Sequence, residues 1–253
     1  DETICSVDRS VGAMLSGEIA KRYGNKGLKT PDTLTVNLKG TAGQAFGAFV
    51  ARGVTVNLIG DANDYVGKGL AGGKIVVRPP ENARIVPEDS IIVGNTVLYG
   101  ATAGRLFAAG QAGERFCVRN SGATAVIEGC GSNGCEYMTG GLAVILGEVG
   151  PNFGAGMTGG MAFVYDPDRK FDLQANPESI IWQAVETEYW RDVLKVQVQQ
   201  HVKRTHSKHA LRLLNDWDRE LPNFLQVVPK EMIGNLEHPI TRDEEQGLKS
   251  AGE

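Results

Sequence analysis

The stretch Gly122-Ala123-Thr124-Ala125-Val126-Ile127 recurs further along the chain as Gly141-Leu142-Ala143-Val144-Ile145-Leu146, and then again as Gly160-Met161-Ala162-Phe163-Val164-Tyr165. Each copy is a glycine followed by a short run of apolar or β-branched residues. Such runs are too short for helices and are typical of buried strands. Tandem repetition at a fixed period indicates a solenoid, in which each unit buries its apolar side chains only against the next unit.

The same register extends towards the N-terminus. Gly53, Gly73 and Gly104 also precede short apolar runs, and the six glycines recur about every 19 positions except between Gly73 and Gly104. That long interval, 74–103, contains three prolines and an additional strand candidate at 91–93. We therefore expect one insertion in an otherwise regular array.

Two other fold classes fit this spacing less well. A doubly wound α/β sheet needs about 10 to 15 helical residues between strands, and an antiparallel sandwich needs turn signals about every 8 to 12 residues. Of the 33 glycines, 26 lie within 40–160, where they can form the corners of a parallel β-helix because glycine adopts positive φ without steric strain. Six asparagines are predicted at or beside the same corners: Asn57, Asn63, Asn95, Asn120, Asn133 and Asn152.

The segments on either side of the repeat predict α-helical covers for an all-β core. On the N-terminal side we expect a helix capped by Ser10 and ended by Gly24, followed by a half-buried strand at 33–38. On the C-terminal side, Asn176-Pro177-Glu178 is typical of a helix start. The expected apolar face of that helix comprises Ile181, Val185, Tyr189, Val193 and Val196, and a second helix over 208–219 presents Leu211, Leu214 and Trp217.

This pattern predicts four regions along the chain. They are an N-terminal helical cap or linker (1–32), a glycine-rich parallel β-helix (33–170), C-terminal amphipathic helices (171–232) and a tail (233–253).

Composition restricts the classes of partner. The chain has 253 residues and a formal net charge of -4, which gives no electrostatic reason to expect nucleic acid or an anionic membrane as a partner. No apolar run approaches the roughly 20 residues that span a bilayer, and the polar start is not typical of a signal peptide. Four cysteines form no CxxC pair, so we expect reduced thiols and a cytoplasmic protein.

Two stretches, Gly67–Gly73 and Gly154–Gly160, contain the pattern GxGxxG. A dinucleotide site requires a strand before these glycines and a helix after them, so that the helix N-terminus can bind the pyrophosphate. Here a strand candidate follows each motif. A degenerate third copy at 135–141 also favours architecture over nucleotide binding.

Other motifs are weak as functional sites. The segment Asp61-Ala62-Asn63-Asp64 lacks the glycine and the distal glutamate of a calcium loop, and Gly131-Ser132-Asn133-Gly134 is not the GxSxG of a nucleophile elbow.

Two sets of ionisable residues remain as candidates. His201, His206 and His209 are expected on a solvated helix face rather than in a metal site. Glu128, Glu136 and Glu148 recur near corners and could form an acidic stripe. We predict no catalytic, cofactor-binding or metal-binding residues in this chain.

Several segments carry a family resemblance. They are Asp8-Arg9-Ser10-Val11-Gly12-Ala13-Met14-Leu15-Ser16-Gly17-Glu18-Ile19-Ala20, Gly40-Thr41-Ala42-Gly43-Gln44-Ala45-Phe46-Gly47-Ala48-Phe49, Asn63-Asp64-Tyr65-Val66-Gly67-Lys68-Gly69 and Val227-Val228-Pro229-Lys230-Glu231-Met232. Together with the doubled GxGxxGG, they resemble the C-terminal domain of the glutamate synthase large subunit over about residues 1–232. The resemblance implies a right-handed parallel β-helix with a non-catalytic role, spacing and bracing the catalytic domains.

The resemblance also implies the properties of a parent enzyme. That enzyme forms two glutamates from glutamine and 2-oxoglutarate with NADPH or ferredoxin as reductant, using an amidotransferase domain and an FMN barrel with an iron–sulfur cluster. A small NADPH-dependent subunit is a further possible partner. Cys5 does not match an N-terminal nucleophile, and Cys117, Cys130 and Cys135 do not match a cluster-binding triad. The chain alone is therefore expected to be inactive and to hold no cofactor.

Three alternatives stay open at this point. The repeat also resembles a subunit of formylmethanofuran dehydrogenase, so the fold by itself does not determine function. The solenoid could instead hold a small anion or a nucleotide in a glycine-lined groove. It could also be the scaffold of a separate enzyme, which would need two or more carboxylates on one face.

Overall fold

A computed structural model describes residues 2–245. The strands are β1 (Glu2–Ile4), β2 (Leu34–Ala42), β3 (Val54–Ala62), β4 (Ala71–Arg78), β5 (Ile91–Val93), β6 (Ala103–Ala108), β7 (Gln111–Ala112), β8 (Ser121–Ile127), β9 (Thr139–Ile145), β10 (Gly159–Tyr165), β11 (Ile180–Ala184) and β12 (Phe224–Pro229). The α-helices are α1 (Ala13–Tyr23), α2 (Phe171–Gln174), α3 (Glu188–Thr205), α4 (Lys208–Asn215) and α5 (Trp217–Glu220).

The strands confirm a parallel β-solenoid. Within the described residues, β2, β3, β4, β6, β8, β9 and β10 pair in that order, each parallel to its neighbour, and form about seven coils. Equivalent residues lie above one another: Val56 pairs with Val36 in the coil before and with Ile75 in the coil after. The repeat in the sequence is therefore the stacking repeat of the fold.

The long glycine interval is an insertion, as expected. β4 pairs directly with β6, so residues 79–102 lie outside the main ladder. β5, the additional strand, belongs to a second, shorter ladder with β3 and β7. Single bridges extend that ladder through Cys130 to Val149.

Two apolar layers lie on opposite sides of the main sheet. The solenoid interior is filled by large side chains such as Phe46, Phe116 and Phe153, all fully buried. The outer face of the same sheet contacts the C-terminal helices through a second cluster, which includes Phe107, Val126, Val144, Phe163, Leu194, Val198, Ala210 and Leu213. Burial of apolar surface thus holds both faces of this wall.

The N-terminal predictions are partly confirmed. The predicted strand at 33–38 lies within β2, and α1 ends before Gly24, which has φ +63°. Ser10 does not cap α1: it has φ +52°, and the N-cap position is Gly12, which has no capping side chain. Instead, Ser16 on the buried face of α1 accepts a hydrogen bond from the backbone of Ala51, which attaches the helix to the solenoid.

The predicted helix start at Asn176-Pro177-Glu178 is wrong. The Asn176 side chain accepts a hydrogen bond from the Glu178 amide, which closes a local turn, and strand β11 follows. β11 pairs antiparallel with β12, which pairs antiparallel with β10. These two strands continue the sheet beyond the last parallel strand of the solenoid, and the helix begins only at Glu188.

The predicted apolar faces of the C-terminal helices are also partly wrong. Ile181 lies in a strand rather than a helix, while Tyr189 and Val196 are exposed on α3. The buried face of α3 is formed by Leu194, Val198, His201 and Thr205. The predicted helix over 208–219 is divided at Asp216 into α4 and α5. Leu211 is exposed, and the buried residues are Ala210, Leu213 and Trp217.

Residues 233–245, the described part of the predicted tail, contact the preceding elements. Thr187 Oγ1 donates to the carbonyl of Pro239, and Gln183 Nε2 donates to that of Ile240. The remainder of the predicted tail, 246–253, lies outside the described residues. None of the helices described in 2–245 combines the length and the apolar character needed to cross a membrane.

Candidate functional site

Six turns lie above one another at one corner of the described solenoid and share one backbone pattern. In each turn the first, third and fifth residues have positive φ values near +60°. These residues are Ala45, Gly47 and Phe49; Tyr65, Gly67 and Gly69; Thr96, Leu98 and Gly100; Arg115, Cys117 and Arg119; Asn133, Cys135 and Tyr137; and Asn152, Gly154 and Gly156. We call this corner the turn stack.

The first two glycines of each GxGxxG motif lie in the turn stack, whereas the third glycine lies at the start of the strand that follows. The Gly67 amide donates to the Phe46 carbonyl of the preceding coil at 2.8 Å, and the Gly69 amide donates to the Tyr99 carbonyl of the next coil at 2.8 Å. A Cβ atom on Gly69 would collide with the Phe49 ring. The glycines therefore permit close coil stacking, and these amides do not point into a ligand site.

The corner asparagines contribute a second connection between coils. Asn133 and Asn152 have positive φ, as expected of corner residues. Their side chains are linked by a hydrogen bond of 2.8 Å, and Asn176 continues the series with a bond of 2.8 Å to Asn152. The corner prediction is wrong for Asn57, which lies within β3 and donates a hydrogen bond from its side-chain amide to Asn37 of β2.

A cluster of three buried polar side chains joins the solenoid to its helical cover. Glu128 follows β8, His201 lies on α3, and Ser207 precedes α4; they are 1%, 0% and 6% exposed. His201 Nε2 lies 3.1 Å from Glu128 Oε1, and the Ser207 hydroxyl donates to the same oxygen. We call these residues the Glu128 cluster.

The hydrogen-bond directions in the Glu128 cluster fit a structural link. A serine nucleophile requires its hydroxyl to bond to a histidine base. Here the Ser207 hydroxyl bonds to the carboxylate, and Ser207 Oγ accepts from the Ala210 amide at 3.0 Å, which caps α4. Each cluster residue therefore fixes a neighbouring element.

One polar atom on each of two cluster residues lies buried without a hydrogen-bond partner among residues 2–245. These atoms are Glu128 Oε2 and His201 Nδ1. Glu128 also borders a cleft of about 570 Å³ between the insertion and the α3–α4 turn, with Arg78, Lys208 and Arg212 among the lining residues.

The structure separates the other predicted ionisable residues. His201 is completely buried, so the prediction that it lies on a solvated helix face is wrong. His206 ends α3 with φ +60°, and His209 Nε2 contacts the Leu146 carbonyl at 2.6 Å.

The three glutamates do not form an acidic stripe. Glu128 is buried beneath the helical cover, where it contacts His201 of α3. The carboxylate of Glu136 lies 3.5 Å from Arg115 Nε in the turn stack, and that of the exposed Glu148 lies 3.4 Å from Lys170 Nζ. Each carboxylate therefore has a different environment.

Three of the cysteines are core thiols. Cys117, Cys130 and Cys135 are buried in the solenoid interior, Cys5 is exposed, and all four are free. A hydrogen bond of the Cys135 thiol with Cys117, with burial second, raises the pKa of Cys135 well above its usual range, and burial raises the pKa of Cys130.

Sequence patterns did not identify an ion-pair network around Asp32. The Asp32 carboxylate accepts from Lys74 Nζ at 2.6 Å and from the Thr55 hydroxyl, and Arg204 of α3 lies 3.5 Å away. The hydrogen bond from Lys74, followed by that from Thr55, lowers the pKa of Asp32. The network links α3 to the first coils.

The calcium-like loop is a polar corner, as expected. Asp64 Oδ1 accepts from the Asn95 amide at 2.7 Å, and Asp61 accepts from the Thr41 hydroxyl at 2.9 Å. No group of three or more potential metal-binding side chains occurs in the described chain.

A comparison with known protein families gives a family that is described by its glycine motif. The family model described as GXGXG motif matches residues 1–230. The chain belongs to the GXGXG motif family. In this GXGXG domain, glycines occupy the third and fifth positions of the turns at 65–69 and 152–156.

Curated relatives of the GXGXG domain are much longer. It is 57% identical over 235 residues, 93% of this chain and 15% of the relative, to the glutamate synthase [NADPH] large chain of Azospirillum brasilense. It is 50% identical over 242 residues, 96% of this chain and 11% of the relative, to the glutamate synthase [NADH] of Schizosaccharomyces pombe. A third relative, the ferredoxin-dependent glutamate synthase of Pyropia yezoensis, is 50% identical over 226 residues, 89% of this chain and 15% of the relative.

Proposed function

We propose that this chain is the β-solenoid domain of a glutamate synthase large chain, and that it acts as a rigid structural element between catalytic domains. The proposal rests on the similarity to three glutamate synthases, each of which the chain matches only over 11% to 15% of its length. Chemistry performed by the rest of such a protein does not require reacting groups in this part.

The observation that carries the structural role is the continuous hydrogen bonding between coils. Strand amides and turn-stack amides both donate to neighbouring coils, as the pairing of β8 with β9 and the bond from the Cys135 amide to the Phe116 carbonyl illustrate. Large side chains fill the interior, and helices cover one outer face. Such a domain resists bending because movement of one coil breaks bonds to two others.

The Glu128 cluster and the Asp32 network support this role. Each attaches α3 to the solenoid wall, at coils several repeats apart. Charged side chains that could perform acid–base chemistry are thus used to fix the helical cover.

The proposed parent enzyme forms two glutamates from glutamine and 2-oxoglutarate in the cytoplasm, with NADPH or ferredoxin as reductant. Its FMN and iron–sulfur cluster would be held by other domains. The proposed partners of this domain are the amidotransferase domain and the FMN barrel of the same large chain, with a small NADPH-dependent subunit as a further partner.

Assays of the isolated chain test the proposal. Circular dichroism should first show that the chain is folded. We then expect no glutamine hydrolysis, no glutamate formation with NADPH or reduced ferredoxin, and no flavin absorbance. Calorimetry with AMP, NADPH, glutamine and 2-oxoglutarate should give no binding heat. Measurable turnover would contradict the structural role, and a saturable heat would favour a ligand-binding module.

A further inference from the structure

The turn stack presents aromatic and cationic side chains to solvent. Phe49, Tyr65 and Tyr137 are 53%, 39% and 52% exposed. Tyr99 lies beside Tyr65 with its ring edge-on, at 6.5 Å between ring centroids. We call the surface formed by Phe49, Tyr65, Lys68, Tyr99, Arg119 and Tyr137 the aromatic face.

Backbone conformation shows that four of these side chains occupy strained positions. Phe49, Tyr65, Arg119 and Tyr137 have φ values between +51° and +63°. A non-glycine residue is strained in this conformation, and glycine occupies the same turn position as Phe49, Arg119 and Tyr137 in three other coils. Each aromatic ring is only partly packed. The rings of Phe49 and Tyr137 each pack over a glycine of the next coil. The exposed part of each ring is therefore free to contact a partner.

The two cations of the aromatic face, Lys68 and Arg119, lie over aromatic rings and not beside carboxylates. Lys68 Nζ lies 5.7 Å from the centre of the Tyr65 ring, and the Arg119 guanidinium lies 5.9 Å from that of Tyr137. Neither forms an ion pair with a carboxylate among residues 2–245. Aromatic residues and arginine are the side chains enriched in protein interfaces, and unneutralised cations favour an acidic partner.

Several other surfaces of the solenoid are covered by elements of the described chain. The outer face of the main sheet is covered by α3 and α4, the first strand edge by β1, and the last by β12 and β11. The turn stack extends along the solenoid with coils about 4.8 Å apart. The aromatic face therefore has a residue on each of the first five turns, with a ring on all of them except the fourth, which contributes Arg119.

We propose that the aromatic face is the surface through which this domain docks onto another domain of the same polypeptide, at a patch that presents carboxylates beside apolar side chains. The inference rests on the proposed function, because the matched region is only 15% of the Azospirillum brasilense relative and the rest of that chain lies outside it. A large neighbour must then contact this domain somewhere, and the aromatic face has the composition of such a contact.

Hydroxyl-radical footprinting of the full-length large chain and of the isolated domain tests this docking surface. We expect oxidation of Phe49, Tyr65 and Tyr137 to be at least about fivefold slower in the full-length protein, since interface residues lose most of their solvent contact. Leu173, which is 83% exposed on α2, is the internal control and should change less than about twofold. Equal rates at the aromatic face in both samples, or equal protection of Leu173, would overturn the proposal.

A charge-reversal variant provides a second test of the docking surface. Arg119→Glu in the full-length protein should restore oxidation of Phe49 and Tyr65 towards their rates in the isolated Arg119→Glu domain, whereas Lys203→Glu on the exposed side of α3 should not. Melting of both isolated variants establishes that the fold is retained. If protection instead appears in the isolated domain as its concentration rises, the occupant is a second copy and the proposal is wrong. Turnover by the isolated chain would contradict the proposed function, whereas unchanged footprints would contradict only the docking surface.

Discussion

Glu128 and His201 form a buried hydrogen bond, 3.1 Å between Oε1 and Nε2, between segments that are far apart in the chain. The bond joins the end of β8 to the helical cover. Because the carboxylate also accepts from Ser207, its removal leaves two buried donors without a partner.

We therefore predict that Glu128→Ala lowers the free energy of unfolding by roughly 2 to 4 kcal/mol, because unpaired buried donors carry a desolvation penalty. Glu128→Gln should lower the free energy of unfolding by less, since the amide oxygen still accepts one hydrogen bond. Urea unfolding followed by circular dichroism gives the values. Glu148→Ala, at an exposed carboxylate, is the control and should change stability by less than about 0.5 kcal/mol. An unchanged free energy of unfolding for Glu128→Ala would contradict the structural link between β8 and the helical cover.

Two glycines test the close packing of coils. At Gly73 a Cβ atom would lie 2.8 Å from the Ala51 carbonyl oxygen, and Gly160 combines φ +82° with a Cβ position 2.8 Å from the Gly141 carbonyl oxygen. We predict that Gly73→Val and Gly160→Val unfold the domain, with strain of roughly 1 to 3 kcal/mol at residue 160 added to the collision.

The matched control is Gly17→Ala in α1. No atom lies within 4 Å of its Cβ position, so the variant should gain roughly 0.5 to 1 kcal/mol from helix propensity. Thermal melts decide between these outcomes. Unchanged melting temperatures for both valine variants would contradict close coil stacking at these positions.

Thiol reactivity tests the assignment of the cysteines. Cys5 is exposed, whereas burial raises the pKa of Cys130, and a hydrogen bond with Cys117 together with burial raises the pKa of Cys135. A chromogenic disulfide reagent should therefore modify one thiol rapidly in the folded protein and all four in denaturant. Cys5→Ser should remove the rapid phase. More than one rapid thiol in the wild type would show that the solenoid interior is open.

The raised pKa of Tyr165 predicts that stability depends on pH in the alkaline range. Burial, followed by its hydrogen bond to Glu220, raises the pKa of Tyr165 to about 12 from an ordinary value of 10.0. A raised pKa means that the unfolded chain loses this proton first. The contribution of Tyr165 to stability is thus complete below about pH 10 and is lost as the pH rises towards about 12.

An absorbance titration of tyrosinate should show a component near pH 12 that is absent from Tyr165→Phe. The variant should also lose less stability than the wild type between about pH 10 and 12. A wild-type titration in which every tyrosine ionises near pH 10 would contradict the buried hydrogen bond to Glu220.

The solenoid could be predicted because its signal is local. Each coil repeats a glycine and a short apolar run, and residues such as Val36, Val56 and Ile75 fall at equivalent positions. The insertion was visible for the same reason, as a single departure from the period.

The C-terminal helices could not be predicted as well, because long-range pairing decides between two local patterns. Ile181 and Val185 have helical spacing, but β11 forms backbone hydrogen bonds to β12, which follows α3, α4 and α5 in the chain. On α3, one apolar stripe contains Val196 and another contains Val198, and only packing against the solenoid selects the second.

The Glu128 cluster leaves only a faint signal in the sequence. His201 continues the spacing of Leu194 and Val198 on the apolar face of α3, and Glu128 directly follows an apolar run. Either feature alone has many explanations. Only the fold places His201 beside Glu128.

Amide hydrogen exchange tests whether the turn stack bonds coil to coil. If the glycine-rich turns exist to bond coil to coil, the amides of Gly67, Cys117 and Cys135 should exchange only through global unfolding. Their free energies of exchange should then match those of amides in β8 and β9. Rapid exchange of these turn amides from a folded protein with protected strands would contradict the account.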